Sequence, residues 1–114
     1  MSTYKMGVAE LENVKAVEMK PGIIRRTLVY NDEMMLCHFT VEQGMTLDLH
    51  QHMAVQSGYV IKGKLKFIKA DGTSFIAKAG TSYLFDSNEV HGIEEVLEAS
   101  EVIECFAPVR PEYI

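Results

Sequence analysis

Apolar and polar residues alternate along most of this chain with a period of two, in short runs that each end at a turn signal. Across 64–69, Leu65 and Phe67 fall on one side and Lys64 and Lys66 on the other, the mark of a half-buried strand. The same reading predicts strands at 23–30, 34–41, 46–52, 57–61, 64–69, 74–77, 81–85, 91–96 and 100–106. Asn31-Asp32, Gln43-Gly44, Lys62-Gly63, Asp71-Gly72 and Ala79-Gly80 punctuate them, and Asp-Gly is a strong hairpin signal. Pro108 and Pro111 end the last strand, since proline cannot donate to a sheet ladder.

No long helical period interrupts this series, which predicts an all-β sandwich or small barrel. Residues 1–22 are less regular. Val8, Leu11, Val14 and Val17 recur every three residues, which allows a helical turn, yet nothing caps it. They are expected to form a short N-terminal arm, available to pair with a neighbour. Pro21-Gly22 opens the barrel, expected over 23–114.

Composition narrows the function classes. The chain has 114 residues, 47% hydrophobic and 24% charged, the size and balance of one globular domain. A net charge of −5 lacks the clustered Lys and Arg of a nucleic-acid surface. No apolar run approaches the ~18 residues of a membrane span, and no leader pattern opens the chain. Cys37 and Cys105 lie in apolar strand-like runs and read as free, buried thiols of a cytoplasmic protein.

The chemistry concentrates between Gly44 and Gly63. His50 and His52 are two residues apart, so on an extended strand both imidazoles face one way. Gln56 follows after a short bend, and His91 supplies a third imidazole from a later strand. Imidazoles in this arrangement suit Zn, Fe, Ni or Cu, and a side-chain carbonyl adds a harder oxygen. His38 reads instead as a surface or satisfied core histidine.

Gly44-x5-His50-x-His52-x3-Gln56-x6-Gly63 and Gly80-x5-Asp86-x-Asn88-x2-His91 resemble the two signature motifs of the cupin family. That resemblance spans about residues 23–107. It implies a double-stranded β-helix, a jelly-roll barrel, with one divalent metal ion held by His50, His52, Gln56 and His91. The chain departs from the broad pattern at four places. Gln56 stands where most cupins have Glu, Asp86 replaces a Pro, Asn88 replaces a Gly, and Glu95 stands where Asn is frequent, at the edge of the site. Asn tolerates the left-handed backbone almost as well as Gly.

Further stretches sharpen the likeness: Arg-Arg-Thr-Leu-Val-Tyr-Asn-Asp at 25–32, Ser-Asn-x2-His-Gly at 87–92 and Phe-x-Pro-x-Arg-Pro-Glu-Tyr at 106–113. With the histidine motif they resemble the small cupins of the KdgF type. Those act on unsaturated uronates and promote opening of the 4,5-unsaturated ring to its linear keto form. The resemblance implies an acid at Glu104, where that group usually has Asp, an aromatic pocket residue at Phe106, and a carboxylate-binding Arg110. It implies a small-molecule substrate, with Zn, Ni, Fe or Mn as the metal. A homodimer is expected from exposed β edges.

Each site residue also has a plainer reading from the residues themselves. Gln56 either ligates or hydrogen-bonds within the pocket. Glu104 is a buried general acid/base or a solvent-facing Glu on an edge strand, and Arg110 a substrate fork or a surface Arg. Tyr59, by strand parity, points away from the histidines and is assigned only packing. Two other functions stay open beside the ring-opening enzyme: a small metal-dependent dioxygenase, and a non-catalytic cupin that binds a sugar acid.

Overall fold

The computed structural model describes residues 4–114 and contains nine strands: β1 Lys5–Met6, β2 Val17–Lys20, β3 Ile23–Asn31, β4 Met35–Val41, β5 Leu47–His50, β6 Val55–Lys69, β7 Ser74–Lys78, β8 Ser82–Phe85 and β9 His91–Ala107. All pairings are antiparallel. The path runs β1-β3-β4-β9-β6-β7, with β2 on β3, β5 on β9 and β8 on β6. Three-residue 3-10 turns at Leu11–Asn13 and Pro111–Tyr113 are the helical elements among the described residues. No helix there is long and apolar enough to cross a membrane.

β6 and β9 carry the architecture. β9 pairs with β6 along nearly its whole length, with β4 through its C-terminal part and with β5 through its N-terminal part. β6 pairs with β8 at one end and β7 at the other. Each long strand therefore belongs to both halves of the barrel. The sequence predicts each as two strands, 57–61 with 64–69 and 91–96 with 100–106. The difference has a local cause: Lys62-Gly63 makes a kink within a continuous strand rather than a turn.

The β6–β9 register shifts four times between Val60 and Phe67, as bulges require. Gly63 sits there at φ 97°, and the Lys64 N–H leaves the ladder to donate to Ser100 Oγ at 3.0 Å.

Two strands of the arm lie along β3 of their own chain, β2 pairing with residues 23–25 and β1 with Tyr30 and Asn31. The three-residue spacing of its apolar positions yields only the turn at Leu11–Asn13, and Val8 and Leu11 remain exposed. No core helix forms because no partner surface covers that stripe.

Inward residues at alternate positions fill the barrel. Met35, Cys37, Val60, Leu65, Phe85, Val96 and Phe106 are almost fully buried. Phe67, Phe75, Tyr83 and Phe85 form an aromatic cluster with centroid separations of 4.6 to 6.5 Å. Cys37 pairs with Glu104 and Leu36 with Cys105, so the two thiols face opposite sides of the sheet. Both are free, and burial pushes the Cys37 thiol up to about 11.

A Cβ at position 63 would lie 2.5 Å from the Ala99 carbonyl oxygen, beyond the cost of a left-handed φ. Gly63→Ala is expected to lower unfolding stability by about 2 kcal/mol, read as a fall in the urea midpoint at unchanged m.

Candidate metal centre

His50 closes β5, His52 follows in the next loop, and His91 opens β9 as the Cα partner of His50. One ligating atom from each lies within 4.8 Å of the others. The ring centroids are 4.5 Å apart for His50 and His91, 5.3 Å for His52 and His91 and 5.8 Å for His50 and His52. Phe85 stacks on His91 at 4.0 Å and 6°, and Phe106 meets His52 at 5.9 Å. The second motif reaches the first through backbone: Asn88, at φ 61°, donates its N–H to the His52 carbonyl at 2.7 Å.

Backbone carbonyls determine which nitrogen each ring offers. Nδ1 of His50 lies 3.0 Å from the Asp48 oxygen, that of His52 2.8 Å from Ala54 and that of His91 2.8 Å from Glu89. A carbonyl oxygen can only accept, so every Nδ1 carries its proton and donates. The three Nε2 atoms are left as lone pairs, the arrangement that fixes ligating tautomers in metal sites. His91 Nε2 is fully buried and has no hydrogen-bond partner.

Gln56 adds a second sign that the site suits a cation. Its Oε1 stands 3.0 Å from His52 Nε2, and with Nδ1 protonated both atoms present lone pairs. Flipping the amide would not resolve this. The Gln56 Nε2 donates to Glu104 Oε2 at 2.7 Å, and a flip would turn a second acceptor on that carboxylate. Burial holds His91 down to about 4. His52 is lowered by burial, then by the charge of Arg110. At neutral pH the Nε2 of neither ring carries a proton, and the donor set fits a divalent ion.

His50, His91, Gln56, Glu104, Phe106 and Arg110 line one cavity of about 430 Å³. Glu104 faces the interior, and burial raises its carboxyl above the usual range against the opposing donors Tyr83 and Gln56 and the charge of Arg110. Both donors converge on Oε2, with the Tyr83 hydroxyl at 2.5 Å. The Arg110 guanidinium carbon lies 5.2 Å from the Phe106 ring centroid and 4.2 Å from that of Tyr113. Its Nε is 3.3 Å from the exposed Glu112.

Other sequence expectations meet mixed outcomes. Tyr59 is exposed, on the face away from the histidines. His38 is buried and bonded to Glu101 at 2.8 Å. Glu95 is not at the edge of the site: it pairs with Lys66 on an exposed stretch of β9 and does not line the cavity, because outward parity carries it away.

Three neighbours received no role from sequence. Arg25 is 8% exposed, its guanidinium 4.3 Å from the Tyr113 ring centroid and its Nε donating to Thr27 Oγ1 at 3.2 Å. Tyr113 lines the cavity, and Tyr83 holds Glu104. Strand parity was the available signal: Arg25 shares a face with Ile23, and Tyr83 with Phe85.

The sequence pattern of the cupin domain family matches residues 37–102. This chain belongs to the cupin family. It is 29% identical over 98 residues to the pectin degradation protein KdgF of Dickeya dadantii (strain 3937), covering 85% of this chain and 88% of that one. Solved cupin structures superpose closely. An RmlC-like cupin from Shewanella frigidimarina gives a TM-score of 0.88 at 23% identity, covering 96% of both chains. KdgF from Halomonas sp. gives 0.87 at 23% identity, covering 96% of this chain and 99% of that one. Ectoine synthase from P. lautus gives 0.78 at 20% identity, with 90% and 78% covered. These structural likenesses bear out the jelly-roll barrel.

The depressed His91 fixes the sign of a pH effect on the metal-free protein. An unfolded chain takes up a proton near 6.5, whereas folded His91 does so only near 4. The unfolded state therefore binds more protons in that window, and stability present above pH 6.5 is lost as pH falls toward 4. Chelator-treated protein is expected to lose roughly 3 kcal/mol across it by urea unfolding at stepped pH, and His91→Phe should flatten that slope.

Proposed function

We propose that this cupin is a metal-dependent enzyme that opens a 4,5-unsaturated uronate to its linear keto form. The observation that carries the reading is the shared cavity. His50, His91, Gln56, a buried carboxylate at Glu104 and Arg110 line one cavity, and His52 offers a third ligating nitrogen within 4.8 Å of those of His50 and His91. The likeness to a pectin degradation protein supplies the substrate class. Under this reading His50, His52, Gln56 and His91 hold a divalent ion, Zn, Ni, Fe or Mn. When bound, that ion supplies Lewis acidity toward substrate oxygens.

The residues supply the rest. Arg110 takes the C5 carboxylate by charge-assisted hydrogen bonds, against the flat apolar wall of Phe106. Glu104 accepts the proton of the hemiacetal hydroxyl on C1. The bond from C1 to the ring oxygen breaks as the C1 carbonyl forms, and the electron pair passes to the ring oxygen as an enolate over C5 and C4. Return of the proton to C4 completes the 5-keto product. One proton leaves oxygen and one arrives at carbon, so no oxidant or reductant is needed. A carboxyl group raised by burial suits both transfers near neutral pH.

The same reading takes the protein to be a cytoplasmic homodimer. Two free thiols suit a reducing compartment, and β7 ends the sheet order, an edge that a second copy can extend. Sedimentation of the purified chain should give twice its 12.8 kDa mass.

The deciding assay incubates metal-loaded protein with 4,5-unsaturated galacturonate under nitrogen and follows the vinyl proton by NMR. Loss of that signal should outrun a no-protein blank and stop on chelation. Glu104→Gln is expected to lower kcat by at least ~100-fold, and Arg110→Met to raise KM by ~10- to 100-fold. Full activity in Glu104→Gln would sink the mechanism. Oxygen uptake without ring opening would favour the dioxygenase, and binding without turnover the sugar-acid-binding module.

A further inference from the structure

We propose that Tyr83 is a positioning residue for the metal centre, acting through Glu104 to keep the Gln56 carbonyl oxygen aimed beside His52. The inference rests on the metal-centre reading above and deepens it. An unrestrained glutamine amide turns freely about its last bond and presents either oxygen or nitrogen. Only the oxygen has a lone pair to give a cation. Something must therefore hold the NH2 group elsewhere, and here it is Glu104 Oε2, 2.7 Å from Gln56 Nε2.

Glu104 needs holding in turn. The Tyr83 hydroxyl donates to that same oxygen at 2.5 Å. The series Tyr83–Glu104–Gln56–His52 is continuous, ending at 3.0 Å between Gln56 Oε1 and His52 Nε2.

Two features indicate that the packing serves this bond. Tyr83 sits among Phe67, Phe75 and Phe85 at centroid separations of 4.6, 6.5 and 5.6 Å. Phenylalanine would satisfy that apolar cluster, whereas a phenol there requires a partner. The strand beneath the ring is also left bare. A Cβ on Gly58 would collide with Tyr83 Cζ, Oη and Cε2. Gly58 has no positive φ, so its backbone does not demand glycine. The absent side chain is what lets the ring reach Glu104.

The test measures metal affinity rather than turnover, so it does not depend on the substrate. Purified full-length protein is stripped with chelator and titrated with Zn or Ni against a chromophoric competitor. Tyr83→Phe keeps the ring and removes the hydroxyl, and affinity should fall ~10- to 100-fold while near-UV circular dichroism stays native. Gly58→Ala keeps the hydroxyl but displaces the ring, and should weaken binding in the same direction. Tyr59→Phe, on the outer face, should bind as the parent does. Affinity within twofold of the parent in a folded Tyr83→Phe would overturn the positioning role while leaving the metal centre standing. A parent protein that takes up neither metal would overturn both.

Discussion

The pairing of β6 with β9 is the constraint on which the candidate site depends. Gln56 lies opposite Phe106 and Gly58 opposite Glu104, so Gln56 and Glu104 become diagonal neighbours on one inward face. That places amide nitrogen and carboxylate oxygen within a hydrogen bond without any loop to arrange. A one-residue slip of either strand would turn its own residue outward and part the pair. The bulges near Gly63 absorb the barrel's curvature farther along β6, so the register at Gln56 stays regular. His91, at the other end of β9, is brought to His50 by β5. One strand thus sets the distance between the imidazoles and the acid.

The interior charge is organised around that strand. Burial opposes protonation of His52 and His91, and backbone carbonyls accept from the Nδ1 of all three rings. Two guanidinium groups, Arg25 and Arg110, share the Tyr113 ring, a stacking mode guanidinium favours. Glu104, in the cavity lining, reaches His52 through Gln56. The cavity therefore has an electron-donating end at the imidazoles and a cationic end at Tyr113. A small acid with hydroxyls at one end and a carboxylate at the other matches that polarity.

Much of this was legible in the sequence, for specific reasons. The two-residue period gave the strands because each has one buried face, and the His-x-His spacing survives any error in strand ends. Parity placed Tyr59 outside. The kinked long strands were misread because glycine serves turns and bulges alike, and only pairing on both sides distinguishes them. The arm showed no alternation because β1 and β2 meet β3 through backbone pairing at an exposed edge. Arg25, Tyr83 and Tyr113 escaped notice because a phenol or guanidinium in an apolar strand announces a partner without naming it. Those partners lie far along the chain: Tyr83 meets Glu104 at a separation of 21 residues, and Arg25 meets Tyr113 at the far end.

Gln56 and Glu104 are best understood together. Most cupins resemble this chain but carry a carboxylate at the ligand position, where it lowers the charge of the ion and loses much of its basicity. Under the proposed reading the Gln56 amide takes that position and the Glu104 carboxylate stands one hydrogen bond behind it. Neutral ligands leave a divalent ion its full charge, and the displaced acid keeps a second oxygen for protons. The cost is that an amide binds weakly and has a wrong orientation available. An acceptor on its nitrogen removes that orientation, and Glu104 provides one because Tyr83 and Gly58 leave it little freedom to turn. Separating charge from ligation in this way suits a reaction that moves a proton and no electrons.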